Sequence, residues 1–184
     1  DLEDGKRFFY DNYLESHPGY HDFQNRTPPD RQEWFGCACC PPNLARLLAS
    51  LGSYLFVESP SDLWLNLYAD YTASTATPGF SFTMQTRYPW DGNVAVKLSL
   101  AQARRFTVRF RIPSWCRNWT GLVNGAVAAV ETVDGYAVID REWENGDEIV
   151  FDLVMPVERV YSHPSVRNNT GKFALQRGPL VYCL

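Results

Sequence analysis

The sequence has no run of lysine and arginine, and its 21 acidic residues outnumber its 17 basic residues, for a formal net charge of −4. Because nucleic-acid binding depends on clustered positive charge, we expect no nucleic-acid partner. No apolar run is long enough to cross a bilayer, so we expect no membrane partner. The sequence also shows no basic and apolar leader and no internal repeat, so neither a signal peptide nor a repeat architecture is indicated.

Cysteine is sparse, and its spacing argues against two common uses. No Cys-x-x-Cys motif within a βαβ pattern is present, which disfavours a thiol redox site. Cys116 and Cys183 have no partner by pattern, which disfavours a disulfide framework. Cysteines without a disulfide framework are typical of proteins in a reducing compartment, so we expect a cytoplasmic location.

Three of the five cysteines nevertheless fall within four positions, at Cys37, Cys39 and Cys40. A disulfide between the neighbours Cys39 and Cys40 would require a strained ring, so we expect none. Such crowding indicates a soft metal such as zinc, a reactive thiolate, or both, and ordinary packed cysteines remain the alternative.

Residues 1–56 are predicted to be helical and loop. The strongest helix is expected from Pro42, because proline is tolerated in a first turn, and Gly52 is expected to end it. Its apolar stripe consists of four leucines: Leu44, Leu47, Leu48 and Leu51. The positive end of this helix would favour a thiolate at the preceding cysteines.

From about residue 57 the apolar period changes to two, which is typical of half-buried antiparallel strands. Asn124-Gly125 predicts a hairpin turn between Leu122-Val123 and Ala126-Val127. Many short strands at regular spacing predict a β-sandwich. The predicted strands lie near residues 63–68, 80–85, 94–100, 106–112, 136–140, 148–153, 157–161 and 173–182.

Aromatic residues make up 15% of the sequence, and two interpretations stay open. They can fill a β-rich core, or their flat faces can pack against sugar rings. A fourth metal ligand could come from His17, His21, Glu33 or a residue outside the chain. Glu33 is also the nearest carboxylate to the cysteines, so it is either a general acid or a surface carboxylate paired with an arginine.

The chain resembles the zinc-dependent β-L-arabinofuranosidase family of glycoside hydrolases over essentially its whole length. The most specific match is EWFGCACCPPNLAR at residues 33–46, and FYDNYLES at 9–16 precedes it. Weaker matches follow in the β region: YPWDG at 88–92, RIPSW at 111–115, VNG at 123–125, WENGD at 143–147 and ALQRGPLVY at 174–182. The chain departs from the family at Tyr13, where proline is usual, and in its loop at residues 17–32.

The resemblance implies a mixed α and β fold, with the C-terminal part of an (α/α)6 barrel followed by an antiparallel β-sandwich. Residues 1–56 would be the last part of the catalytic barrel, and residues 57–184 a β-sandwich that is incomplete at its C-terminus. The chain is expected to be a piece of a larger polypeptide.

The resemblance also implies a retaining glycosidase that acts on β-L-arabinofuranosides or a related sugar, with Cys39 as nucleophile and Cys39 and Cys40 as zinc ligands. The remaining Glu and Cys ligands, and the glutamate acid/base, would lie outside this chain, so the isolated fragment is expected to be inactive. Tyr10 and Trp34 are candidates for binding the sugar. The alternative is a non-catalytic carbohydrate-binding or structural module with a structural zinc site. No oligomeric state is predicted.

Overall fold

The computed structural model describes residues 6–8, 31–36 and 39–182. The chain divides into two compact units, residues 1–51 with 183–184, and Gly52–Tyr182. Strands account for 46% and helices for 12% of the described residues. No helix among these residues is long and apolar enough to span a bilayer.

The predicted fold class, a mixed α and β chain with the end of an (α/α)6 barrel, is wrong: the described residues are mostly β and form three sheets. Their α-helices are α1 (Cys40–Ser50) and the single turn α2 (Gly52–Leu55), with a 3-10 helix at Arg167–Asn169. The helical prediction for the first residues depended partly on Phe8, which instead forms a bridge with Gln32. An apolar stripe such as that of α1 specifies one helix and does not specify a barrel around it.

Helix α1 also differs from its predicted bounds. It begins at Cys40, two residues before the expected start, with both prolines in its first turn. It ends at Ser50, and Gly52 begins α2 rather than a loop. The predicted leucine stripe is exposed in this structure, with 57% of Leu44 and 61% of Leu48 accessible to solvent.

The first sheet has the order β1-β2-β6-β10-β9, and the second has the order β3-β4-β5-β11-β7-β8. Their strands are β1 (Phe56–Glu58), β2 (Asp62–Leu65), β3 (Tyr71–Ser74), β4 (Phe80–Thr86), β5 (Asn93–Leu100), β6 (Arg104–Arg111), β7 (Trp119–Val123), β8 (Ala126–Val127), β9 (Glu131–Val133), β10 (Tyr136–Trp143) and β11 (Glu148–Leu153). The pairs in both sheets are antiparallel except β2 with β6, which run parallel. The purely antiparallel prediction is therefore wrong at this pair.

The third sheet contains β12 (Val157–Val160), β13 (Ala174–Arg177) and β14 (Leu180–Tyr182). The sequence predicted one strand over residues 173–182, but Gly178, with φ of 57°, turns the chain between β13 and β14. The predicted hairpin at Asn124-Gly125 is confirmed, since Val123 pairs with Ala126 and both turn residues have positive φ.

One hydrophobic cluster combines alternate residues from the first two sheets. Trp143 is fully buried in it, and its Nε1 donates a hydrogen bond of 2.9 Å to the carbonyl oxygen of Phe106. Burial also raises the pKa of Tyr68, whose hydroxyl donates to the carbonyl oxygen of Arg111. The polar atoms of these two buried side chains are thus paired within the core, whereas the buried hydroxyl of Tyr71 has no hydrogen-bond partner among the described residues.

Asp147 is a buried carboxylate, 8% exposed, that joins two turns. Its Oδ1 accepts a hydrogen bond of 2.7 Å from Asn124 Nδ2, and its Oδ2 accepts one of 2.9 Å from the Glu144 backbone N–H. Asn124 Oδ1 in turn accepts from the Glu148 backbone N–H at 2.9 Å. The VNG and WENGD motifs are therefore parts of one hydrogen-bonded structure.

Replacement of Asp147 by alanine should leave two donors without acceptors, Asn124 Nδ2 and the Glu144 N–H. We expect the free energy of unfolding of the chain, measured in urea, to fall by about 2–3 kcal/mol. Asp140→Ala is the matched control, because Asp140 is half exposed and forms an ion pair with Arg105 at 3.0 Å. This substitution should lower the free energy of unfolding by at most about 1 kcal/mol. Equal losses in the two variants would contradict the role given to Asp147.

Candidate functional site

The first candidate site is the pair of adjacent cysteines where α1 begins. Cys39 is the residue that caps the helix and Cys40 is its first residue, and both side chains are exposed. Their Sγ atoms are 3.8 Å apart, well beyond the roughly 2.05 Å of a disulfide bond, so the two sulfurs are not joined. Two soft donors are thus presented side by side.

The backbone at this helix start adds positive electrostatic potential. The Asn43 backbone N–H donates to the Cys39 carbonyl oxygen at 3.3 Å, which closes the first turn, and Arg46 Nη2 donates to Asn43 Oδ1 at 2.8 Å. The prolines in this turn have no N–H and a φ suited to a helix start. Peptide dipoles aligned along α1 favour negative charge at this end, where the two sulfurs lie.

The sulfur pair fits a tetrahedral zinc ion. Two thiolates each about 2.3 Å from such an ion would be about 3.8 Å apart, which agrees with the observed separation. Among the described residues, however, no group of three or more possible metal ligands occurs. Glu33 therefore does not join Cys39 and Cys40 in such a group, while Cys37, His17 and His21 lie outside the described residues.

The second candidate site is a surface cavity of about 500 Å³, open to solvent, within the same compact unit; the described residues that line it are Arg7, Arg31, Gln32, Glu33 and Trp34. Trp34 is 66% exposed. Neither Cys39 nor Cys40 belongs to this lining. Tyr10, the other predicted sugar-binding residue, lies outside the described residues.

Backbone pairing positions the cavity lining. Phe8 and Gln32 exchange two backbone hydrogen bonds of 3.0 Å, which brings Arg7 beside the segment that contains Trp34. The rings of Phe8 and Phe35 meet edge to face at 5.1 Å, and Phe35 is buried. Sequence analysis did not identify Arg7 or Gln32 as site residues, because a single bridge between distant residues has no periodic signal.

Cys116 contrasts with the exposed pair. It is 8% exposed, its Sγ donates to the Asn118 carbonyl oxygen at 3.2 Å, and burial raises the pKa of its thiol. It therefore has less thiolate at neutral pH than an ordinary cysteine and is a structural residue.

Family models match three segments of the chain. Residues 2–53 match the β-L-arabinofuranosidase GH127 catalytic domain, residues 62–155 the GH127 middle domain, and residues 157–184 the C-terminal domain of glycoside hydrolase family 127. The catalytic-domain match contains Cys39, Cys40 and the described residues that line the cavity.

Known proteins resemble the chain over nearly its full length. A non-reducing end β-L-arabinofuranosidase from Bifidobacterium longum subsp. longum is 39% identical over 98% of the chain and 28% of that enzyme. A crystal structure of a GH127 β-L-arabinofuranosidase from Geobacillus stearothermophilus T6 is 47% identical, with a TM-score of 0.85, over 98% of the chain and 29% of that protein. A structure described as a glycoside hydrolase is 35% identical, with a TM-score of 0.86, over 98% of the chain and 30% of that protein. The chain thus spans less than a third of each relative's length.

The different settings of the cysteines predict different reactivities. In metal-free native protein, Cys40 should react rapidly with a thiol reagent such as Ellman's reagent, whereas Cys116 should react only after unfolding in urea. Cys40→Ser should therefore lower the number of thiols that react in the fast phase by one per chain. Cys116→Ser should leave the fast phase unchanged and lower by one the number of thiols that react after unfolding. Loss of a fast equivalent in Cys116→Ser would show that Cys116 is accessible in the native state.

Proposed function

The chain belongs to glycoside hydrolase family 127, and from this membership we propose that it supplies the nucleophilic cysteine of a retaining glycosidase that releases β-L-arabinofuranose. The observation that carries the proposal is the exposed pair Cys39 and Cys40, whose sulfurs are 3.8 Å apart. The pair lies at a helix start, within the segment that matches the catalytic domain. The relatives named as β-L-arabinofuranosidases support this choice of sugar.

Cys39 is the proposed nucleophile. Its thiolate attacks the anomeric carbon of the arabinofuranosyl unit, a C–S bond forms, and the bond from that carbon to the glycosidic oxygen breaks. The departing oxygen takes a proton from a carboxylic acid that lies outside this chain. Water then attacks the same carbon, the C–S bond breaks, and the carboxylate accepts the proton from the water, so the configuration is retained.

Zinc is the proposed metal, with Cys39 and Cys40 supplying two of its ligands and a Glu and a Cys outside the chain supplying the others. Bound there, zinc would keep sulfur in the thiolate form at neutral pH. The 3.8 Å sulfur separation supports this donor pair. In this proposal Cys40 acts only as a metal ligand, and its neighbour Cys39 is both ligand and nucleophile.

The proposed substrate is a carbohydrate, and Tyr10 and Trp34 are proposed to bind it. The 66% exposure of Trp34 supports its part, since an accessible flat ring can pack against the C–H face of a sugar. The acid/base and the remaining ligands are provided by the rest of the polypeptide, so this chain alone is proposed to be inactive.

The nucleophile is tested by trapping the intermediate on the full-length protein with 4-nitrophenyl β-L-arabinofuranoside, followed by peptide mass spectrometry. We expect one pentosyl adduct on the peptide that contains Cys39, and a loss in kcat/KM of roughly 10⁴-fold or more in Cys39→Ala. Cys116→Ser should keep both the adduct and the activity, because that thiol is buried in the other compact unit. An adduct on a carboxylate, or product of inverted configuration, would contradict the proposal.

The metal is tested by replacing zinc with cobalt(II) in the full-length protein. Thiolate ligands give cobalt an intense near-ultraviolet charge-transfer band, so Cys39→Ser and Cys40→Ser should each weaken the band and lower the bound metal from about one ion per protein. Cys116→Ser should leave the band unchanged. An unchanged spectrum in the Cys39 and Cys40 variants would exclude them as ligands. A metal site that persists without any sugar adduct on Cys39 would favour the structural-zinc alternative.

A further inference from the structure

We propose that Asn124-Gly125 is the site at which this protein loses a side-chain amide by spontaneous deamidation, and that the Asp147 carboxylate slows this reaction. The inference does not depend on the proposed function, because these residues lie in the compact unit Gly52–Tyr182 and not with the two exposed cysteines. It identifies a covalent modification and the residue that controls it.

Deamidation converts asparagine into aspartate or isoaspartate without an enzyme. The backbone nitrogen of the following residue loses its proton to solvent and attacks the side-chain Cγ, so a C–N bond forms. The bond from Cγ to Nδ2 breaks, and Nδ2 takes up a proton and leaves as ammonia. Water then opens the resulting succinimide ring at either carbonyl. Glycine favours the attack because it has no side chain to crowd the nitrogen, and the sequence contains two such pairs, Asn124-Gly125 and Asn145-Gly146.

The turn at Asn145-Gly146 protects its asparagine through the backbone. The Gly146 N–H, whose nitrogen would have to attack, donates a hydrogen bond of 2.9 Å to the carbonyl oxygen of Leu98. The Leu98 N–H donates in return to the carbonyl oxygen of Asp147, also at 2.9 Å. Asn145 Oδ1 accepts a further bond of 3.1 Å from the Leu100 N–H. The attacking nitrogen and the side-chain amide are therefore both held against β5.

The turn at Asn124-Gly125 leaves its attacking nitrogen accessible. Both residues are exposed, and the Gly125 N–H has no hydrogen-bond acceptor among the described residues. A Cβ added to Gly125 would meet nothing within 4 Å. Here the side-chain amide is held instead: Asn124 Nδ2 donates to Asp147 Oδ1 at 2.7 Å, and Asn124 Oδ1 accepts from the Glu148 N–H at 2.9 Å.

Protection of Asn124 therefore depends on its hydrogen bond to Asp147. Departure of Nδ2 as ammonia must break this bond. Asp147 cannot follow the amide as it moves, because the carboxylate is 8% exposed and its Oδ2 accepts a second bond from the Glu144 N–H. Hydrogen bonds to an ionised group that is shielded from water are among the stronger ones, so this bond raises the barrier to deamidation.

The product of the reaction would destabilise the turn that holds the amide. A carboxylate at position 124 cannot donate to Asp147, and it places two negative charges within hydrogen-bonding distance, one of them on a buried group. Isoaspartate would also add a carbon to the backbone of a two-residue hairpin turn whose residues both have positive φ. Deamidation at this position should thus weaken the contact between the β7–β8 hairpin and the turn that precedes β11.

The test incubates the native full-length protein at mildly alkaline pH in water enriched in heavy oxygen, and quantifies deamidation at both positions by peptide mass spectrometry. Oxygen taken up from the solvent marks the events that occur during incubation. In the unchanged protein, we expect Asn124 to deamidate several times faster than Asn145. Asp147→Ala should raise the rate at Asn124 roughly tenfold, since one charge-assisted hydrogen bond is lost, and leave the rate at Asn145 within about twofold. Asp140→Ala removes an exposed carboxylate from the other sheet and should change neither rate.

Faster deamidation at Asn145 than at Asn124 in the unchanged protein would overturn the inference. An equal rise at both positions in Asp147→Ala would also overturn it, because that result reports unfolding of the whole unit and not release of one amide.

A second measurement does not need the Asp147 variant. Asn124→Asp reproduces one product of the reaction and should lower the urea midpoint of unfolding, because the new carboxylate faces Asp147. Asn145→Asp is the matched control and should lower the midpoint less, since an aspartate oxygen can still accept from the Leu100 N–H. An Asn124→Asp variant as stable as the unchanged protein would contradict the contact with Asp147 on which the inference rests.

Discussion

The contact of Phe110 with Phe151 joins the two large sheets, and much of the β structure depends on it. Phe110 lies on β6 of the first sheet and Phe151 on β11 of the second, with ring centroids 4.2 Å apart and both side chains almost fully buried. Trp119 also stacks on Phe151, with ring centroids 5.3 Å apart. Gly121 allows this arrangement, since a Cβ at that position would lie 3.1 Å from the Phe151 ring. Substitution there would push against a ring that has no free space to move into.

The period of two predicted the strands that contribute to this core, because burial of one sheet face is a local property of the sequence. Pairing is not local, and the alternation around Leu63 says nothing about its partner. The parallel pairing of β2 with β6 places Leu63 opposite Val108, and no turn signal between such distant residues could have predicted that. The strand break at Gly178 was missed for a different reason. Gly178 turns the chain with a positive φ, and a Cβ at this position would meet the Met155 side chain. The residues on both sides are largely apolar, so the sequence resembled one continuous strand.

The two candidate sites also differ in how far the sequence could predict them. Cys39 and Cys40 are adjacent, and the helix start that follows them has its own local signal in the prolines, so their proximity could be predicted without a structure. The cavity depends on the bridge from Phe8 to Gln32, which spans two dozen residues and includes one pair. Two of its described residues were candidates from the sequence: Glu33 because it is the carboxylate nearest the cysteines, and Trp34 because of the resemblance. The barrel prediction, which was wrong, also came from the resemblance. It assigned a family's architecture to a segment whose own sequence specifies a single amphipathic helix.

The chemistry proposed for the cysteine pair depends on the start of α1, and neither cysteine belongs to the lining of the cavity. The proposed role of Cys39 as both nucleophile and metal ligand requires its sulfur to stay close to that of Cys40, and their adjacent positions at the start of α1 place the two sulfurs 3.8 Å apart. Residues that recognise the sugar can then vary without moving the sulfur. The segment of residues 31–34 presents one exposed aromatic ring among polar side chains, and a single backbone bridge at Gln32 holds it to Phe8. Under the proposed roles, substitution of Trp34 should change which glycoside is accepted, whereas substitutions at Cys39 or Cys40 should change whether the bond breaks at all.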